Sequence, residues 1–147
     1  MENNFHMKPS ARHNTRSYVI QALYEWLISG NDIQTIKAHF LNDYNFKKTD
    51  TEYFATLLKG VITKHELLDQ NLLPHLDRPL NELDPIELCI LRTAMFELIE
   101  QPKIPYRVII NEAVELAKKF GVTGGYKYVN GVLDKAAKKI RHDEYQS

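Results

Sequence analysis

Two tyrosines flank a lysine at Tyr126-Lys127-Tyr128, directly after Gly124-Gly125. A lysine attracts phosphate by Coulomb force and counterion release, and tyrosine rings stack on unpaired bases. The glycine turn leads into a helix whose N-terminal amides and positive dipole end suit an anion. The same residues also fit a plainer role, with half-buried tyrosines in the packing and lysines complementing a helix dipole.

The other reactive residue types form no comparable group. His6, His13, His39, His65, His75 and His142 are scattered, and no two lie three or four residues apart on one helix. Cys89 is the only cysteine and sits among apolar neighbours, where a thiolate is disfavoured. A lone cysteine permits no intrachain disulfide, which points to a reducing compartment. The chain contains no glycine-rich phosphate loop, no Gly-x-Ser-x-Gly elbow and no His-Glu-x-x-His pair. No catalytic residue, metal site or cofactor is expected. The N-terminus has no apolar stretch to act as a signal peptide, and no apolar run approaches a membrane span, so the expected location is the cytoplasm.

The charge supports a binding role once it is divided along the chain. Nineteen basic groups balance nineteen acidic ones over 147 residues, which excludes only a uniformly basic nucleic-acid coat. Lys8, Arg12 and Arg16 stand against Glu2 in residues 1–17. Residues 66–100 carry eight acidic groups, Glu82 and Glu87 among them, against Arg78 and Arg92. Residues 118–141 carry seven basic groups against Asp134 alone. Basic ends suit phosphate, and an acidic middle suits a basic protein partner or a solvated helix face. Lys127, Asn130, Asp134, Lys138 and Arg141 share the face of the last helix opposite its apolar stripe. Arg92 lies within the most apolar segment, so it needs a partner such as Glu87 or Glu97, or else a ligand.

Helices must position these groups, because apolar residues recur at helical spacing almost throughout. The first run is Val19, Ala22, Leu23, Trp26 and Leu27, stopped by Gly30 in a left-handed conformation. Asp32 caps a second helix with Ile33, Ile36, Phe40 and Leu41 inward. Thr49 and Glu52 form a capping-box pattern before a third. Asp84-Pro85-Ile86-Glu87 is the sharpest start signal, and the helix it opens is apolar nearly all round. After Pro102 and Pro105 a further helix carries Val108, Ile109, Ala113, Leu116 and Phe120, and Gly121 ends it. A last helix buries Val129, Val132, Leu133, Ala136 and Ile140. Asn130-Gly131 is a hairpin signal overruled by the helical spacing around it. The expected fold is all-α, a compact single domain of about seven helices.

Taken in order, "SYVIQALYEW", "YFATLLKGVITKHELLD", "ILRTAMFEL", "IPYRVIINEAVELAKKFG" and "KYVNGVLDKAAKKIR" resemble the NusB family of bacterial transcription antitermination factors. The resemblance runs from about Lys8 to Arg141. It implies two packed three-helix bundles and a function without catalysis. It further implies binding of the boxA element of nascent ribosomal RNA together with NusE, a small-subunit ribosomal protein, within an RNA polymerase antitermination complex. Carried onto matching positions, it implies RNA contacts at Lys8, Arg12, Arg16, Tyr24, Arg92, Lys127 and Tyr128. Glu87 and Arg92 match positions near the shared RNA and NusE surface. With Glu82 in the same acidic stretch, Glu87 is the candidate contact for the protein partner. The chain departs from the family at Ala11-Arg12-His13-Asn14-Thr15-Arg16, where consecutive arginines are common, and at Tyr128, where phenylalanine is common.

The expected organisation is a flexible basic arm over 1–9, a helical RNA-binding domain over 10–141 and a C-terminal tail over 142–147. One alternative is the RNA-binding helical domain of an RNA cytosine methyltransferase, which would need a further domain and a reactive cysteine. Another is an interaction module that docks a basic protein through residues 66–100 and ignores RNA.

Overall fold

The computed structural model describes residues 9–122 and 125–147, so Lys8, Gly124 and nearly all of the expected arm lie outside the described residues. Among the described residues there are seven α-helices and no strand. They are α1 (Pro9–Ser29), α2 (Ile33–Asp43), α3 (Thr51–Leu72), α4 (Pro85–Glu100), α5 (Tyr106–Lys119), α6 (Gly125–Ile140) and α7 (His142–Gln146). Two short 3-10 turns, Leu73–His75 and Leu80–Glu82, lie between α3 and α4. Residues 142–146, expected within a tail, form α7. The all-α expectation holds, and the helices group into two compact units divided after Ile62, inside α3.

In the first unit α1 packs against α2, with Val19, Ile20, Leu23, Ile36, Phe40, Phe54, Leu57 and Leu58 almost fully buried. Gly30 ends α1 at φ +74, as its position implies. Asp32 accepts the Thr35 N–H at 2.8 Å and caps α2. The α3 cap differs from expectation. Thr49 turns its hydroxyl to the Phe46 carbonyl, and the residue that accepts the Tyr53 N–H, at 3.0 Å, is Asp50. Asp50 is better placed because it also accepts from Arg12 Nε, while its own N–H donates to Thr15 Oγ1. Leu41, expected inward, is 38% exposed.

In the second unit α4, α5 and α6 pack on one another. Asp84 accepts from the N–H groups of Ile86 and Glu87, and Pro85 occupies the first turn, as the sequence requires. Every residue from Glu87 to Leu98 is buried, so α4 is the central helix here. Beyond α5, the Val122 N–H donates to Ala117 O and the Gly121 N–H to Lys118 O, with Gly121 at φ +62. That pair of bonds is a Schellman ending. Asn130 and Gly131 lie inside α6, so the hairpin signal was rightly overruled.

Arg141 leaves the basic face predicted for it. Its guanidinium is buried and donates to the carbonyls of Leu98 (2.8 Å), Gln101 (3.0 Å) and Ile104 (3.0 Å). It also pairs with Glu144 at 2.6 Å. The end of α4 leaves carbonyls without helical partners, and a cation with five donors satisfies several at once.

Candidate nucleic-acid interface

The first turn of α6 carries Lys127, exposed, and Tyr128, half-buried. The short stretch after the Leu73–His75 turn meets Tyr128 directly. The Asp77 N–H donates to the Tyr128 hydroxyl at 3.2 Å, and the Arg78 guanidinium lies 4.4 Å from the ring centroid. Arg78 also forks onto Asp77, Nε to Oδ1 at 2.7 Å and Nη2 to Oδ2 at 3.2 Å. The Arg78 hydrogen bonds, followed by that of the Tyr128 hydroxyl, hold the Asp77 carboxyl below the usual range. Burial foremost pushes the Tyr128 hydroxyl up, so it stays protonated.

Beside this group lies a cleft of about 260 Å³ lined by His75, Leu76, Lys127, Tyr128, Gly131 and Lys135, among others. Lys127 and Lys135 have no carboxylate partner among the described residues, so their charge is available to a ligand. Burial, then the nearby charges of Lys139 and Lys135, lowers the His75 pKa. The ring is therefore neutral near pH 7, and the lysines carry the positive charge of the cleft. Tyr126 is 40% exposed, with the Lys118 ammonium 4.6 Å from its ring centroid.

The remaining candidate residues occupy very different settings. Tyr24 is exposed on α1. Arg12 is drawn onto its own unit, its Nε 3.3 Å from Asp50 Oδ2 and its guanidinium carbon 3.7 Å from the Tyr53 centroid. Arg16 is only 4% exposed and also approaches Tyr53. Arg92 is buried, but its partner is neither Glu87 nor Glu97. It forks onto Asp69 of α3, with both donor–acceptor distances at 2.8 Å. Asp69 was overlooked because its sequence position, twenty-three residues away, carries no sign of proximity. Glu82 is exposed, whereas Glu87 is wholly buried and offers a partner no direct contact. Neither Glu87 carboxylate oxygen has a hydrogen-bond partner among the described residues, and burial foremost raises its pKa. Sequence reasoning also missed His75, Asp77, Arg78 and Lys135. His75, Asp77 and Arg78 lie between Pro74 and Pro79, far in sequence from the α6 residues they meet.

The described residues define an all-helical protein with a cationic, aromatic-edged cleft. The NusB family model matches residues 13–138. A transcription antitermination protein NusB of Alcanivorax borkumensis is 49% identical over 136 residues, covering 92% of this chain and 91% of that protein. That of Colwellia psychrerythraea is 46% identical over 138 residues, covering 94% and 100%. Among solved structures, NusB of T. maritima superposes with a TM-score of 0.79 at 28% identity, over 92% of this chain and 97% of that one. A crystal structure of antitermination factors NusB and NusE in complex with dsRNA gives 0.78 at 26% identity, over 86% and 96%. The chain belongs to the NusB family.

Proposed function

We propose that the chain is a transcription antitermination factor. It binds the boxA element of nascent ribosomal RNA together with NusE, as part of an RNA polymerase antitermination complex in the cytoplasm. One observation carries this reading. On a fold whose solved relative holds NusE and RNA, an unneutralised lysine and a tyrosine ring stand together at the lip of a cleft. Lys127 supplies phosphate attraction and Tyr128 an aromatic edge, with Tyr24 and Lys8 as further RNA contacts. Arg12, Arg16 and Arg92 act through the surfaces they hold in place, since Arg12 and Arg16 lie against Tyr53 and Arg92 pairs with Asp69. Glu82 is the contact offered to NusE. Glu87 serves that surface only from beneath.

The factor does no chemistry of its own. Cys89 is buried and burial pushes its thiol up to about 12, so it is no nucleophile near neutral pH. No helix among the described residues is long and apolar enough to cross a membrane, which suits a factor acting on nascent RNA.

Titration of the protein with boxA-type and scrambled RNA, with and without NusE, tests the proposal. Preference for boxA that strengthens with NusE is expected, and equal affinity in all four mixtures defeats it. Lys127→Ala should weaken binding and flatten its salt dependence by about one phosphate contact. An unchanged slope removes Lys127 from the interface.

A further inference from the structure

Gly131 is out of keeping with its helix. It sits within α6, where glycine is among the least favourable residues, and its backbone is ordinary helix, without a positive φ. Packing does not require it either, because apart from its chain neighbours and the backbone of its own helix no heavy atom lies within 4 Å of where a Cβ would stand. Gly131 is also one of the residues that line the cleft. A side chain there would fill the cleft and leave the rest of the protein undisturbed.

The walls of this space match one kind of ligand. His75 and Tyr128 bring ring surfaces, Leu76 an apolar wall, and Lys127 and Lys135 two ammonium groups without carboxylate partners among the described residues. Asp77 also borders the cleft, but its negative charge is met by the Arg78 fork. The volume, about 260 Å³, falls just below the range of drug-sized pockets, roughly 300–1,000 Å³. It is of a size to hold a single heterocycle.

Resting on the RNA-binding reading above, we propose that this cleft is a subsite for one unpaired nucleotide of the RNA. The base enters over Gly131 between His75 and Tyr128, and Lys127 and Lys135 hold the flanking phosphates. Gly131 is then a specificity-determining residue, which keeps the space open at the expense of helix stability. His75 contributes as a neutral ring, since burial and the lysines beside it oppose its protonation.

The test uses the full chain and single-stranded boxA-type RNA, together with a series in which one position at a time lacks its base. Gly131→Ala should raise the melting temperature by roughly 2–4 °C, as removal of a mid-helix glycine does for a chain of this size. Gly131→Leu, which fills the cleft, should keep its fold and lose about tenfold in RNA affinity, within the usual range for one stacked base. Its salt slope should not change, whereas Lys135→Ala should reduce the slope by about one. One position in the RNA should lose affinity on base removal with the wild-type protein and lose nothing further with Gly131→Leu. A flat abasic series with Gly131→Leu binding at wild-type strength overturns the subsite, as does a slope change with Lys135→Ala alone, which would mark a phosphate contact and no base. Should Gly131→Leu fail to fold, the abasic series measured with His75→Ala decides in the same way. If the wild-type protein binds none of the RNAs, the RNA-binding reading and the subsite fail together.

Discussion

Glu87 and Arg141 show how burial assigns a charged residue its task. Arg141 is surrounded by carbonyls at the α4 end and ion-paired to Glu144, so its charge is answered several times over. Arg141→Lys keeps the charge but loses the planar fork. Stability should fall by about 2–4 kcal/mol, read as the shift in a urea unfolding midpoint. A loss below about 0.5 kcal/mol would show that the fork contributes nothing. Glu87 is the converse, a buried carboxylate whose pKa is raised, first by burial. The folded state therefore binds this proton more tightly than the unfolded chain, whose glutamates titrate near about 4.3. Rising pH removes stability between that value and the higher folded one, and the penalty is full above both. Glu87→Gln cannot titrate. Its unfolding midpoint relative to wild type should climb in its favour from pH 4 to pH 7, and a difference that stays constant would contradict the argument.

At the level of elements, helix ends decide most of what is local. The α3 start shows that two candidate caps one residue apart are not equivalent. Asp50 accepts the Tyr53 N–H and the Arg12 guanidinium, whereas Thr49 bonds back to Phe46. Asp50→Ala should therefore cost about 1–2 kcal/mol, and Thr49→Ala clearly less, by equilibrium denaturation. The reverse ordering would reinstate Thr49 as the cap. The same comparison bears on RNA binding, since freeing Arg12 from Asp50 changes the charge that α1 presents.

Across the whole molecule, net neutrality conceals strong polarity: acidic between residues 66 and 100, basic between 118 and 141. Cys89 provides a probe of how the central helix behaves as a unit. It is 2% exposed on α4, with a thiol pushed up to about 12. A thiol reagent should leave the native protein unmodified for as long as α4 stays buried. Labelling rates should then follow the global unfolding free energy as urea is added. Rapid labelling without denaturant would show that α4 opens locally.

Much was legible in the chain because the signals were local. The amphipathic spacing, the Asp32 and Asp84 caps, the Gly30 and Gly121 endings and the ordered family motifs each depend on residues a turn or two apart. They determined an all-α fold and a family membership. Tertiary structure alone decided where the charges went. Arg92 found Asp69, Arg141 turned inward to α4, Arg12 and Arg16 settled near Tyr53, and Glu87 was desolvated. It also set Asp77 against Tyr128, 51 residues apart, and so built the cleft. The physical reason is that helix formation is settled by neighbours at three- and four-residue spacing. The partner and solvation of a long charged side chain depend on whatever distant surface is packed against it.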